Sequence, residues 1–158
     1  SEFYDGVIDL CVTSAAKIDP DNLSAAFYRN NEPDSDRQGL SAYLNKSNIY
    51  KEVVQMLDDL YNRNVMSDKP DDFNAVLKIV STALKYNDEI LHINVYDWML
   101  RKKLYTELLD LKKDSLEVFL VRTRDQNPES AEVADLLWKY YEKINNHAQA
   151  TIILKELA

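Results

Sequence analysis

The chain has 158 residues, 46% of them hydrophobic and 29% charged, so it is long enough for one compact core but too short for several domains. Its two glycines and four prolines supply few turns, which disfavours β-hairpins and a glycine-rich phosphate loop. A formal net charge of -8 disfavours binding to nucleic-acid phosphates or anionic lipid headgroups. Cys11 is the only cysteine, so we expect neither an intrachain disulfide nor a cysteine-based zinc site.

Apolar residues recur at helical spacing through the first half of the chain and predict three helices. The first runs from about Glu2 to Lys17, and Asp19 caps a second helix that opens with Pro20. A polar segment, residues 30–37, then leads into a long third helix. The side chains predicted to face inward are Phe3, Val7, Leu10 and Cys11 on the first helix, Leu23, Phe27 and Tyr28 on the second, and Leu40, Tyr43, Leu44, Tyr50, Val53, Val54, Leu57, Leu60 and Tyr61 on the third.

The second half of the chain predicts a further series of helices. A break is predicted over residues 62–71, with Pro70, Asp71 and Asp72 at the start of a fourth helix. A fifth helix, opened by Asn87 and Asp88, is apolar on nearly every side, as expected at the centre of a core. The others are predicted over residues 102–111, over 115–124 with Asp114 and Glu117 as a capping pair, from Asn127 and Pro128, and after Asn145 and Asn146. In the last two helices, the side chains predicted to face inward are Val133, Leu136, Leu137, Tyr140, Tyr141, Ala150, Ile153, Leu154 and Leu157.

This pattern predicts an all-α fold of about nine helices, arranged as antiparallel hairpins in an irregular α-helical solenoid. We expect a single domain over residues 1–158. Because the helical pattern runs to Ala158 without a C-cap, the sequence is interpreted as a fragment of a longer protein.

The residues that support catalysis are few. His92 lies on the crowded fifth helix and is predicted to be a tucked, hydrogen-bonded side chain, while Cys11 falls on an apolar helix face and is predicted to fill the core. Neither His92 nor His147 stands in a His-Glu-x-x-His arrangement. We therefore expect no enzyme activity, no catalytic residues, no cofactor and no metal site.

Two helices carry a specific resemblance. The segment 88–100 opens with Asp-Glu and ends in a Tyr-x-Trp step, and the segment 136–143 reads Leu-Leu-Trp-Lys-Tyr-Tyr-Glu-Lys. Both resemble helices near the C-terminus of the large scaffold nucleoporins of the nuclear pore inner ring, and segments 3–10, 27–33 and 148–158 fit that family in the same order. The resemblance is weakest over residues 40–75, where some relatives carry a Pro- and Ser-rich insertion.

This resemblance implies that the chain is the C-terminal part of an α-helical solenoid, and that an upstream solenoid and an N-terminal β-propeller precede it in the whole protein. It implies a location in the nuclear pore complex at the nuclear envelope and a structural role in pore assembly and nucleocytoplasmic transport. The expected partners are other nucleoporins, including a linker segment of the glycine-leucine-phenylalanine-glycine repeat nucleoporin. No direct contact with nucleic acid or membrane is expected of this part.

Four residues are the candidates for partner binding. Trp138 lies one position off the apolar stripe of its helix, and Tyr141 lies on that stripe, so these aromatic residues are predicted to line a groove or partner face. Lys102 and Lys103 form a local basic cluster, which either caps a helix end or docks an acidic segment of a partner.

Three alternative functions differ in what they require of the chain. A helical adaptor of another assembly, such as a vesicle coat, shares the fold and the lack of catalysis. A helical enzyme requires His92 as its base, so burial of His92 away from any pocket removes that base. Membrane contact requires a basic amphipathic helix, which the sequence lacks.

Overall fold

The computed structural model describes residues 2–66 and 70–158, with side chains omitted for residues 70–72. Over this part of the chain, helices joined by short links are the only regular secondary structure. The helices are α1 (Glu2–Ile18), α2 (Leu23–Arg29), α3 (Arg37–Val65), α4 (Pro70–Lys85), α5 (Glu89–Arg101), α6 (Tyr105–Leu109), α7 (Asp114–Gln126), α8 (Ala131–Lys143) and α9 (His147–Leu157). The all-α prediction is confirmed. Of the predicted break at 62–71, residues 67–69 lie outside the described residues, and α3 continues to Val65.

The helices group into two compact units, residues 1–95 and 96–158, and the boundary falls within α5. In the first unit α3 packs against α1, α2 and α4, and α1 also contacts α4. In the second unit α8 packs against α6, α7 and α9. Within each unit, helices that are close in sequence pack together, which is the local architecture of an α-helical solenoid.

The helix α5 is the most completely buried element, as its pattern predicts. Seven of its side chains are at most 6% exposed: Ile90, Leu91, Ile93, Val95, Tyr96, Trp98 and Met99. In the second unit the ring of Tyr96 packs 5.5 Å from that of Phe119, and its hydroxyl lies 2.7 Å from the Ser115 hydroxyl. The stripe predicted on α8 is also confirmed, because Val133, Leu136, Leu137, Tyr140 and Tyr141 are all buried.

A buried polar cluster holds the first unit together around the middle of α3. The ammonium of Lys46, on α3, lies 3.0 Å from Asp88 Oδ2 and 3.7 Å from Asp19 Oδ2, and all three side chains are nearly or fully buried. Asp19 also accepts hydrogen bonds from the backbone N–H of Leu23 and from the hydroxyl and N–H of Ser24. The cluster therefore joins segments that are far apart in sequence.

Several helices end on residues other than glycine in the left-handed conformation. After α5, Lys103 has φ 59°, its N–H donates to Leu100 O, and the N–H of Leu104 donates to Met99 O. This pair of bonds is the Schellman motif, in which the left-handed position is usually glycine. The same motif follows α2 and α8 at Asn31 and Asn145. Asparagine tolerates this conformation better than other residues, whereas lysine is strained in it.

Some predicted boundaries are wrong. Pro20 lies in a turn, and α2 begins at Leu23, because the Asp19 carboxylate binds the N–H groups of residues 23 and 24 across a left-handed Asn22. Asp114 is the first residue of α7 and does not cap it. Ser130, not Asn127 or Pro128, caps α8 by accepting from the Val133 N–H.

Several residues predicted to face inward are exposed. On α1 the buried stripe is Ile8, Cys11 and Ala15, so Phe3 and Leu10 point away from the core and are 70% and 67% exposed. The other exposed positions are Leu23, Leu44, Leu154 and Leu157. In each case the helix buries a stripe narrower than its apolar pattern suggests.

Candidate partner-binding site

The helix α8 places Trp138 at the edge of its buried stripe, where the side chain is half-buried. The indole Nε1–H donates to Asp135 Oδ1 at 2.9 Å, and Lys139 Nζ lies 2.7 Å from Asp135 Oδ2 and 5.9 Å from the centre of the indole ring. The three side chains form one surface group, which we name the Trp138 cluster. Its indole is held in place by a charged pair on the same helix.

The electrostatics of the Trp138 cluster favour an ionised Asp135. The hydrogen bond from Lys139 holds the pKa of the Asp135 carboxyl below its usual range, and the bond from Trp138 adds to this effect. Because the indole N–H already has an acceptor, a partner that packs on the ring does not leave that N–H without a hydrogen bond.

Tyr141 lies inside the second unit and is 5% exposed. Burial, together with the carboxylate of Glu117 and a hydrogen bond to it, raises the pKa of Tyr141 to about 12. The hydroxyl thus stays protonated and bonds α8 to α7. The ring also packs edge-on against Tyr140, with the ring centres 5.5 Å apart. The surface that α8 offers therefore centres on Trp138, while Tyr141 fixes the helix behind it.

Lys102 and Lys103 follow the last residue of α5, on a different element from the two aromatic residues. Lys102 is half-buried, and its N–H donates to Trp98 O. Lys103 is exposed and occupies the left-handed position of the Schellman motif. Both lysines lie at the negative end of the α5 dipole, where a cation is stabilised.

The side chains considered for catalysis are buried. His92 is 7% exposed, its Nε2 lies 2.6 Å from Tyr86 O, and it lines neither of the two surface cavities described below. Cys11 is buried, and burial raises the pKa of its thiol. Both observations confirm the sequence predictions for these residues. The described residues contain no group of three or more His, Cys, Asp and Glu side chains arranged to hold a metal ion.

Surface cavities lie at two places among the described residues of the first unit, and sequence reasoning identified neither of them. One, of about 350 Å³, runs between α1 and α3 beside Phe3. The other, of about 340 Å³, lies beside Ile18 and Leu23 near the start of α2. The signal that points to the first cavity is the spacing of Ile8, Cys11 and Ala15, which leaves Phe3 off the buried stripe.

Comparison with known proteins assigns the family. Residues 1–158 match the family described as non-repetitive/WGA-negative nucleoporin, C-terminal. The chain belongs to this nucleoporin family. It is 38% identical to the nuclear pore complex protein Nup154 of Drosophila melanogaster over its whole length, which covers 13% of that protein. It is 22% identical to nucleoporin NUP170 of Saccharomyces cerevisiae and 26% identical to a probable nucleoporin of Schizosaccharomyces pombe, over 99% and 98% of the chain and 11% of each relative.

The predicted resemblance to nucleoporins is thereby confirmed. The protein is a nucleoporin, a component of the nuclear pore complex at the nuclear envelope. The chain spans only about an eighth of the length of these relatives. The alignment with Nup154 covers 177 positions, so Nup154 carries additional residues within the matched region. No helix among the described residues combines the length and the hydropathy needed to cross a bilayer.

Proposed function

We propose that this nucleoporin chain is a structural module of the inner ring, with no reaction to perform, that holds linear segments of other nucleoporins and so supports pore assembly and nucleocytoplasmic transport. The observation that carries the proposal is the half-buried Trp138, whose one polar atom already bonds to Asp135. Preformed aromatic surfaces of this kind supply much of the binding energy at protein interfaces.

The partner we propose is the linker segment of the glycine-leucine-phenylalanine-glycine repeat nucleoporin. An apolar side chain of the linker packs on the Trp138 ring, and the cost of ordering the linker is offset by that contact. Tyr141 supports the site from inside by bonding α8 to α7 through Glu117. The names of the relatives support membership of the nuclear pore complex. That this linker is the bound segment is our proposal.

Lys102 and Lys103 are proposed as the electrostatic part of the same function. They form a cationic pair on a chain whose net charge is -8, so they attract acidic residues of a partner segment locally. The two lysines attract the partner segment before contact, and dissolved salt screens this attraction.

We also propose that the chain catalyses no reaction. This proposal is supported by the burial of His92, because the enzyme hypothesis depended on that residue as a base. The relatives named above are nucleoporins, which supports the same view.

The linker proposal is tested by binding a fluorescent linker peptide to the 158-residue chain. Trp138→Ala is expected to weaken binding about 30-fold, because loss of an aromatic anchor costs ~2 kcal/mol or more. Leu44→Ala, an exposed apolar residue in the other unit, is the matched control and is expected to leave affinity unchanged. Equal affinity of the Trp138→Ala variant and the unmodified chain would contradict the proposal.

The role of the lysines is tested by reversing their charge. Lys102→Glu with Lys103→Glu is expected to weaken binding of the linker peptide at low salt and to flatten its dependence on salt concentration. Lys112→Glu with Lys113→Glu changes the net charge equally and is the control. If the two double variants behave alike, or if affinity does not change with salt, the lysines have no specific role.

The coat-adaptor alternative predicts different partners in a pull-down from cell extract. Recovery of nucleoporins that depends on Trp138 supports the scaffold function. Recovery of coat subunits without nucleoporins would overturn it.

A further inference from the structure

The outer face of α3 forms one wall of a groove in the first unit. The residues of α3 that line it recur at helical spacing from Glu52 to Arg63, and α1 supplies the opposite wall around Phe3. The eleven steps along the helix from Glu52 to Arg63, at about 1.5 Å each, make this wall about 16 Å long. The groove has a volume of about 350 Å³, which is in the range of binding sites for small ligands and peptide side chains.

The floor of the groove consists of four half-buried side chains, most of them apolar. Tyr4 and Val7 from α1 and Met56 and Leu60 from α3 line it, and all four side chains are half-buried. Phe3 stands at its edge and is 70% exposed, with its ring 5.5 Å from that of Tyr4. Apolar side chains grouped in a groove mark binding sites more often than isolated exposed residues do.

The rim of the groove carries carboxylates from α3. Glu52 and Asp59 both line it and are exposed, and Gln55 Nε2 holds Asp59 by donating to its Oδ1 at 2.9 Å. The charge of Glu52 contributes, after burial, to the raised pKa of Cys11 on α1, which places this carboxylate close to the seam between the two helices. Arg63 lines one end of the groove.

The spacing of the two carboxylates fits an extended peptide. Seven helix positions separate Glu52 from Asp59, about 10 Å along the helix axis. A peptide in the polyproline II conformation advances about 3.1 Å per residue with three residues per turn, so side chains three positions apart share one face and span about 9 Å. Two basic residues at that spacing therefore reach both carboxylates, while the residues between them meet the apolar floor.

We propose that the groove between α1 and α3 binds a short linear peptide in which two basic residues, three positions apart, flank a pair of apolar anchors. Charge complementarity identifies this occupant, because the rim carboxylates attract the basic residues and the floor takes the anchors. The site lies in the first unit and uses neither Trp138 nor the lysines of α5, so it stands independently of the linker proposal.

The test uses three synthetic octapeptides and the 158-residue chain, with binding followed by fluorescence anisotropy. The first contains the core Lys-Phe-Leu-Lys, the second replaces both lysines with glutamate, and the third replaces both anchors with serine. Binding of the first alone at millimolar or lower concentration is the expected result. Equal binding of all three, or binding of none, would overturn the proposal.

Matched variants then locate the site. Phe3→Ala is expected to weaken binding of the first peptide about tenfold, whereas Leu10→Ala, which removes an equally exposed apolar residue from the same helix, leaves it within twofold. Glu52→Lys with Asp59→Lys weakens it more than tenfold at low salt. Asp5→Lys with Asp9→Lys is the charge control, because those carboxylates face Tyr86. Equal losses in variant and control would overturn the assignment to this groove.

Discussion

Replacement of Lys46 by methionine tests whether the buried polar cluster stabilises the first unit. Lys46 is 3% exposed, and its ammonium lies between the carboxylates of Asp19 and Asp88. Methionine keeps most of the side-chain volume and removes the charge, so the two carboxylates remain buried without a cation. Removal of one partner from a buried ion pair typically costs about 3–5 kcal/mol.

The hydrogen bonds that the two carboxylates keep determine how much stability Lys46→Met loses. Asp19 keeps its hydrogen bonds from Leu23 and Ser24, and Asp88 keeps those from the Tyr50 hydroxyl and the Ile90 N–H. These bonds continue to stabilise the ionised carboxylates, so we expect about 3 kcal/mol, the lower end. For a chain of this size that corresponds to a fall in Tm of about 6–12 °C.

Urea unfolding of the 158-residue chain measures the change, and Lys139→Met is the matched control. Lys139 pairs with Asp135 on the surface, with side chains 51% and 46% exposed, and such pairs contribute about 0.5 kcal/mol or less. If Lys46→Met lowers the free energy of unfolding by no more than Lys139→Met, the cluster does not stabilise the fold and the reasoning is refuted.

The difference in stability between the unmodified chain and Lys46→Met is predicted to depend on pH. Burial alone would raise the pKa of Asp19, but hydrogen bonds from Ser24 and Leu23 and the charge of Lys46 outweigh it and hold the pKa below its usual value. A carboxyl with a lowered pKa in the folded state stabilises the protein above its unfolded pKa, and this contribution is lost as the pH falls through the folded value. The stability difference between the unmodified chain and Lys46→Met should therefore narrow below about pH 4.

Substitutions at three positions and one calorimetric scan test other features of the fold. Gly39→Ala should destabilise by about 1–3 kcal/mol, because a Cβ there would lie 2.7 Å from that of Phe27, whereas Gly6→Ala meets open space and should stabilise by about 0.5–1 kcal/mol; urea unfolding compares the two. Lys103→Gly should be about 1 kcal/mol more stable than Lys103→Ala, since only glycine relieves the left-handed strain, and equal stabilities would contradict that explanation. If the chain is a single domain, calorimetry should show one transition with equal calorimetric and van't Hoff enthalpies, whereas two separate transitions would show that the units unfold independently.

The helices themselves were predictable because their apolar residues follow a regular period. On α5 and α8 the pattern is dense, and nearly every predicted core residue is buried. On α1 two apolar stripes compete, one through Phe3 and Leu10 and one through Ile8 and Cys11. Which of them is buried depends on where α3 and α4 lie, and a local pattern carries no information about those distant helices.

The helix boundaries were harder to predict because capping depends on three-dimensional reach. Asp19 was predicted to be the N-cap of a helix that opens with Pro20, but the N-cap position is Asn22. The Asp19 carboxylate does bind the first N–H groups of α2, at residues 23 and 24, by reaching across the left-handed Asn22, so the helix starts later than the proline rule suggests. Lys46 shows the same limit in the core. It lies on the stripe of Tyr50, Val53 and Leu57, and its burial depends on carboxylates from other segments.

Binding surfaces are difficult to predict for a different reason. In an all-helical chain, a large apolar residue off the buried stripe is either a contact point for a partner or an isolated exposed residue. Trp138 was identified from its position one residue off the stripe, whereas Phe3 was assigned to the core and missed. Position alone does not decide, since Leu44 and Met66 are also exposed. The surroundings distinguish them: an indole N–H already bonded to Asp135 at Trp138, and a groove with an acidic rim at Phe3. Both features depend on neighbours in space, which is why the groove at Phe3 and the bonded state of the Trp138 indole required the structure, while the fold class and the position of Trp138 did not.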